Sequence, residues 1–443
     1  MTSYGTLTLT RMREKSSSLP PRAAFQYPNF RYYVAARFLT TSSSEMQAVA
    51  VAWQVYALTH RPLDLGLVGL AQFLPGVFLF LIAGHAADRI ARQRILQACY
   101  AAFSMCSILL LAFTVHGLLS AYPIYLALLL NGVVRAFNGP AGQAFLPLLV
   151  AEEHFPNAVA WSSSIFQAAT IAGPIAGGLL YGFTGSPEVV YAYAGFAYLT
   201  ALLLMSRIRV KSTERARPVE PPAFGLDGLR YIWRNKLILG AISLDLFAVL
   251  LGGAVALLPV YAREILKIGA TGLGILRSAP GVGAVIMAVV VAHWPLRRRA
   301  GATMLWCVFG FGILTIIFGL SRNLALSLAS LVLLGACDMV SVIVRHTMIQ
   351  LGTPNEMRGR VSAVNMIFIG TSNEVGQFES GITAQWFGTV PSVIAGGLGT
   401  IAIVVLWAWL FPSLRRVNEL EPSRMLRAAA GESIADAADA LIE

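Results

Sequence analysis

Apolar residues in this chain run in long stretches separated by short breaks rich in glycine, proline and charge. Read with those breaks as boundaries, the pattern predicts twelve helices near 33–58, 65–87, 94–116, 122–150, 158–183, 188–207, 237–262, 272–294, 301–321, 324–351, 360–388 and 389–411. A helix crossing a bilayer takes roughly 20 predominantly apolar residues, so each stretch is read as a membrane span. The implied fold class is an all-α membrane protein. Its divisions are a tail at 1–32, a six-helix bundle at 33–208, a connector at 209–236, a second six-helix bundle at 237–411 and a tail at 412–443. Pro218, Pro221 and Pro222 mark the connector, and Gly228 to Trp233 after them predicts a short helix lying on the membrane surface.

The two bundles are related in sequence. A shift of about 205 residues sets Val55-Tyr56-Ala57 on Val260-Tyr261-Ala262, Gly69 on Gly274, Pro75-Gly76-Val77 on Pro280-Gly281-Val282, and Arg92 and Arg94 on Arg297 and Arg299. Proline, glycine and arginine recur at matching depths, which points to a duplication of six helices. Parallel repeats of this kind place a substrate site between the halves, near the midplane.

Composition agrees. Of 443 residues 56% are hydrophobic and 12% charged, far from the balance of a soluble domain. The net charge of +11 raises the question of nucleic acid, yet Lys and Arg lie between the apolar stretches and form no single patch, so no nucleic-acid partner is expected. About 25 of the 33 Lys and Arg residues fall on the side of the chain ends, which the positive-inside rule reads as cytoplasmic. No cleavable signal segment is recognised before Arg31. Cys99, Cys106, Cys307 and Cys337 all lie within apolar stretches without metal or disulfide spacing, and the histidines do not cluster. No phosphate-binding glycine loop is present, so neither metal, ATP nor another cofactor is expected.

Charged and amide residues inside spans are unfavourable in hydrocarbon and mark candidate sites. Arg37 and Glu45 lie on the first span, Arg135 on the fourth, Asp245 on the seventh, Arg277 on the eighth, and Asp338 and Arg345 on the tenth. The eleventh carries Asn373, Glu374, Gln377 and Glu379; at 100° per residue Glu374 and Glu379 point about 140° apart, so at most one lines a given surface. Phe38, Trp53, Phe73 and Phe247 are aromatic candidates for a cavity wall or for the core.

Three local patterns carry a family resemblance. Between the second and third spans stands Gly84-His85-Ala86-Ala87-Asp88-Arg89-Ile90-Ala91-Arg92-Gln93-Arg94; the fourth span holds Arg135-Ala136-Phe137-Asn138-Gly139; the fifth holds Gly173-Pro174-Ile175-Ala176-Gly177-Gly178. The whole chain resembles the major facilitator superfamily. That resemblance implies a cytoplasmic latch at Gly84, Asp88, Arg89, Arg92 and Arg94, a proton-handling role for Arg135, and a gating hinge at Gly173, Pro174, Gly177 and Gly178 of the kind exporters carry. It also implies a cavity lined by the first, fourth, seventh and tenth helices, which singles out Glu45, Arg135, Asp245 and Asp338, with Glu374 as a further proton-coupling candidate. Arg37, Arg345, Asn373, Gln377 and Glu379 are the other cavity candidates. In the second repeat, His293 and Trp294 stand where Asp88 and Arg89 stand in the first, so the latch is expected to be asymmetric.

His346 to Val361, with Leu410 to Arg416, is similar to the enterobactin-exporter and macrolide-efflux branch, the transmembrane secretion effectors. The resemblance implies a monomeric exporter of a small amphiphile in the bacterial inner membrane, exchanging cargo for protons, with no cofactor. The competing expectations are a proton-coupled or facilitative importer of a metabolite and, from another class, an intramembrane enzyme acting on lipid.

Overall fold

The computed structural model describes residues 22–210, 227–294 and 299–418. The prolines of the connector, Arg297, Arg298 and the tail beyond Asn418 lie outside the described residues, as do the side chains of Gly84 and Asp88. Among the described residues the regular structure is helical, without strands. Twelve long helices follow in chain order: α1 Pro28–Thr59, α2 Pro62–Arg89, α3 Arg92–Val115, α4 Tyr122–Phe145, α5 Phe155–Thr184, α6 Pro187–Arg207, α7 Lys236–Leu251, α8 Gly269–His293, α9 Ala300–Leu320, α10 Leu324–Gly352, α11 Asn355–Phe387 and α12 Thr389–Leu410.

The helix starts follow from local chemistry. α1, α2, α4, α5 and α6 each have proline in the first two positions, where its fixed φ suits a helix and its missing N–H is no loss. Asn323 caps α10 by accepting from the backbone N–H groups of Ala325 and Leu326. Gly185 closes α5 at φ 68°, a left-handed conformation that glycine adopts without strain.

The seventh span departs from the continuous helix expected over 237–262. α7 stops at Gly252, and the chain resumes as a 3₁₀ turn at Ala254–Leu257, a single α turn at Leu258–Val260 and a π turn at Tyr261–Ile265. Gly252 and Gly253 stand in succession at the break, and glycine is among the least favourable residues within a helix. Ser380 on α11 donates to the carbonyl of Gly253 at 3.2 Å, which also accepts from the Ala256 N–H at 3.4 Å, so the break is tied to α11.

Among the described residues, nine helical stretches are apolar and long enough to cross a membrane; α1, α4 and α11 are not among them. Each bundle has its own core, around Tyr33, Phe103, Phe145 and Tyr198 in the first and Leu244, Met304, Val344 and Trp407 in the second. The halves meet along two helix pairs, α2 with α11 and α5 with α8. Adding six to the first-half helix and subtracting six from the second-half helix turns one pair into the other, as a twofold relation between repeats requires. Asp227–Arg234 forms the short helix expected ahead of the seventh span, tucked against α11, with the Tyr231 hydroxyl donating to the carbonyl of Gly352 at 2.8 Å.

Candidate substrate chamber

The contacts between halves are uneven along their length. Away from the chain ends the backbones nearly touch: a Cβ added at Gly66 of α2 would meet Phe378 Cα at 3.0 Å, and one at Gly178 of α5 would meet Gly274 Cα of α8 at 2.9 Å. A Cβ at Gly69 of α2 would still meet Gln377 Cβ of α11 at 3.3 Å, but seven residues nearer the chain ends on each helix, two turns on and on the same faces, a Cβ at Gly76 or Gly370 would meet nothing within 4 Å. α2 and α11 therefore splay apart toward the face that carries both ends.

The opposite face is shut. Val49 and Trp53 of α1 join Leu257, Tyr261 and Leu276 of the second half in one apolar cluster. The Tyr56 hydroxyl donates to the Glu264 carboxylate, and the Arg263 guanidinium lies 5.7 Å from the Trp53 ring centre. Both partners from the second half sit on the π turn after α7. The repeat places Tyr56 and Tyr261 at equivalent positions, but Tyr261 instead donates to Gly319 within its own half, at 2.9 Å.

Between the shut face and the splay lies a chamber of about 130 Å³ lined by Glu45, Gln72, Arg135, Arg277, Glu374 and Gln377, among others. Glu45 of α1 and Arg277 of α8 form an ion pair across the halves, Oε2 to Nε 3.7 Å, each side chain between a quarter and a third exposed. Arg135 of α4 donates to Gln72 Oε1 of α2 at 2.8 Å, and among the described residues no carboxylate lies within 4 Å of it. Glu374 of α11 accepts from Gln377 at 3.4 Å.

Small residues on neighbouring helices set these groups in place. A Cβ on Gly173 of α5 would lie 2.6 Å from the Cβ of Glu45, and one on Gly177 would lie 2.7 Å from Met46 Cα; bare backbone at both lets α1 press against α5. Thr271 and Ser278 of α8 donate to Gly178 and Ile171 of α5, at 3.3 and 2.8 Å. The Gly-Pro pattern of α5 thus abuts the helix of Glu45 on one side and the helix of Arg277 on the other. α5 runs unbroken through Pro174. Gly69 of α2 leaves room for Glu374, whose Oε2 would lie 3.3 Å from an added Cβ, and Gly132 of α4 lets Gln72 approach beside Arg135.

The structure thus brings Glu45, Arg135, Glu374 and Gln377 together. Asp245 and Arg345 form an ion pair inside the second bundle, between α7 and α10, both side chains almost fully buried. Asp338 lies half-buried on α10, outside the residues that line the chamber. Glu379 is half-buried elsewhere on α11, and Asn373 is exposed, donating to the carbonyl of Ile369. Arg37 lies over Phe166 at 5.4 Å and donates to the Tyr33 hydroxyl. Trp53 belongs to the shut face, and Phe247 lies against Trp407 with ring centres 5.4 Å apart and planes tilted by 58°. Arg89 ends α2 and is exposed; Arg92 and Arg94 open α3. Two chamber residues were not singled out by the sequence reading: Gln72, and Arg277 as the partner of Glu45. The repeat carried a signal for both, because the shift that aligns Gly69 with Gly274 also aligns Gln72 with Arg277, one turn on.

Comparison with known proteins decides the family. A family model described as transmembrane secretion effector matches residues 18–434. The chain belongs to that family. It is 28% identical over 402 residues to the enterobactin exporter EntS of Shigella boydii serotype 4 (strain Sb227), covering 89% of this chain and 95% of the relative. The EntS of Escherichia coli O157:H7 (strain EC4115 / EHEC) matches with the same identity and coverage. Among solved structures, a bacterial homologue of the human lysosomal transporter Spinster, inward-facing and unoccupied, superposes with TM-score 0.68 at 13% identity, over 91% of this chain and 98% of that one. A D-xylose-proton symporter gives 0.65 at 14%, over 89% and 98%. These likenesses establish the major facilitator fold. The secretion effector is thus a multi-pass membrane transport protein, not an enzyme.

Proposed function

We propose that this protein exports a small amphiphilic molecule, of the siderophore, macrolide or drug-like kind, across a bacterial inner membrane by alternating access in exchange for protons. The observation that carries the reading is the chamber between the halves, where Glu45 and Glu374 face Arg135 and Arg277. Carboxylates in such a place change proton affinity as nearby cations and water approach or withdraw. The face with both chain ends is the cytoplasmic one, as the surplus of Lys and Arg there supports. Cargo enters the splayed side. Closure of that side and opening of the other then delivers cargo outward, and a proton taken up on a chamber carboxylate accompanies the return. The exporter names of the relatives support the direction.

Everted vesicles with an imposed proton gradient test this. Enterobactin and a panel of macrolides are offered as cargo; uptake into the vesicles, with matching proton release, is expected for at least one. Glu45→Gln is expected to abolish the coupled movement while the protein still inserts. Transport unaffected by that change would make Glu45 a structural residue, and flux in the opposite sense would make the protein an importer.

A further inference from the structure

A second cavity, of about 450 Å³, lies on the outer wall of the first bundle where the end of α2 meets α3 and α4. Ile90, Ala98, Ala102, Val133 and Phe137 line it, and Arg94 is its one charged residue among those described. Ile90, Ala98 and Val133 are exposed, so the groove opens away from the chamber and toward lipid. Arg94 sits at its mouth, in the first turn of α3, on the face that carries the chain ends.

Among the described side chains, the electrostatics of that mouth are one-sided. α3 starts after Ala91 with no side-chain cap and no acidic residue in its first turn. A helix start already presents unbonded N–H groups and positive partial charge, and here Arg92 and Arg94 add to it. The Nε of Arg92 is buried with no hydrogen-bond partner among the described residues. No described carboxylate lies within 4 Å of Arg94. A slot apolar along its length and cationic at its mouth, set where headgroups meet hydrocarbon, complements an acyl chain bearing a phosphate.

We propose that this groove is a binding site for an anionic phospholipid of the leaflet on the side of the chain ends. One acyl chain lies along α3 from Arg94 to Ala102, about 12 Å at 1.5 Å per residue, and the phosphodiester accepts hydrogen bonds from the Arg94 guanidinium. The lipid also touches α2 through Ala86 and Ile90. That end of α2 is the part that diverges from α11, so the lipid braces a moving wall of the transporter from outside.

The test uses the purified full chain in detergent, mixed with equal amounts of phosphatidylglycerol and phosphatidylcholine of identical acyl chains, with retained lipid counted by native mass spectrometry. About fivefold preference for phosphatidylglycerol is expected, the scale of one cationic contact at a membrane surface, falling to near parity in Arg94→Gln. Ala98→Trp, which fills the slot and keeps the arginine, is expected to lose the retained lipid of both kinds. If that variant does not fold, Val133→Trp fills the slot from α4. Equal retention of the two lipids by the unaltered protein, or a preference that survives Arg94→Gln, overturns the proposal.

Discussion

Two ion pairs show how differently the same chemistry serves at different depths in this molecule. Asp245 and Arg345 are 8% and 3% exposed and join helices of one bundle; Glu45 and Arg277 are 29% and 28% exposed and join the two halves at a chamber. Removing one member of a buried pair strands the other charge, at roughly 3–5 kcal/mol. Asp245→Ala is therefore expected to lower thermal stability in detergent sharply, and Asp245→Leu combined with Arg345→Met to recover most of it. Glu45→Gln keeps shape and leaves Arg277 in reach of the chamber's water, so the same melting measurement is expected to move little while transport fails. The sequence names all four residues, and the family resemblance groups Asp245 with Glu45 by the helices that carry them, because hydropathy locates a charge within a span and is silent on which neighbour it faces. Facing is decided by packing, as when bare backbone at Gly173 brings α1 close at Glu45.

At the scale of elements, α5 is the part on which the halves depend most. Gly173 and Gly177 lie against α1, while Gly178 lies against α8. An alanine at Gly178 would set its Cβ 2.7 Å from the carbonyl oxygen of Ala270, which only movement of the other half can relieve. Overpacking of this order costs about 1–3 kcal/mol. Gly178→Ala is thus expected to shift the population toward opening of the shut face, read as a longer spin-label distance between Arg61 and Lys267 sites. Most helix positions were legible in the sequence, since twelve apolar stretches became twelve long helices with ends moved by a few residues. The break in α7 was not. Gly252 and Gly253 stand within an apolar run, and hydropathy scores a glycine pair much alike whether the helix continues through it or ends there.

For the whole molecule, the repeat is the most informative property of the sequence, because it orders the helices and pairs α2 with α11 as it pairs α8 with α5. The splay adds a direction. If the halves rock, a bond tying them at the shut face must arrest the cycle in the form open toward the chain ends. Gly66→Cys with Phe378→Cys, in a chain whose four native cysteines are replaced by serine, is expected to cross-link and lose transport, with reductant restoring it. Either cysteine alone is expected to transport before and after oxidation. The latch expected at Asp88, by contrast, would act in the opposite closure, a conformation other than this one.

The three helices that fall short of an autonomous membrane span are α1, α4 and α11, the ones that carry Glu45, Arg135 and Glu374. Their polarity has a consequence during synthesis. α1 emerges from the ribosome long before α5, the helix whose glycines receive it, and before α8, whose Arg277 pairs with Glu45, so it inserts with that charge unmatched. Such a segment is expected to linger at the insertion machinery, shielded from acyl chains, until those later helices enclose it. Arg135 and Glu374 differ, because the helices that face them are already made when α4 and α11 emerge.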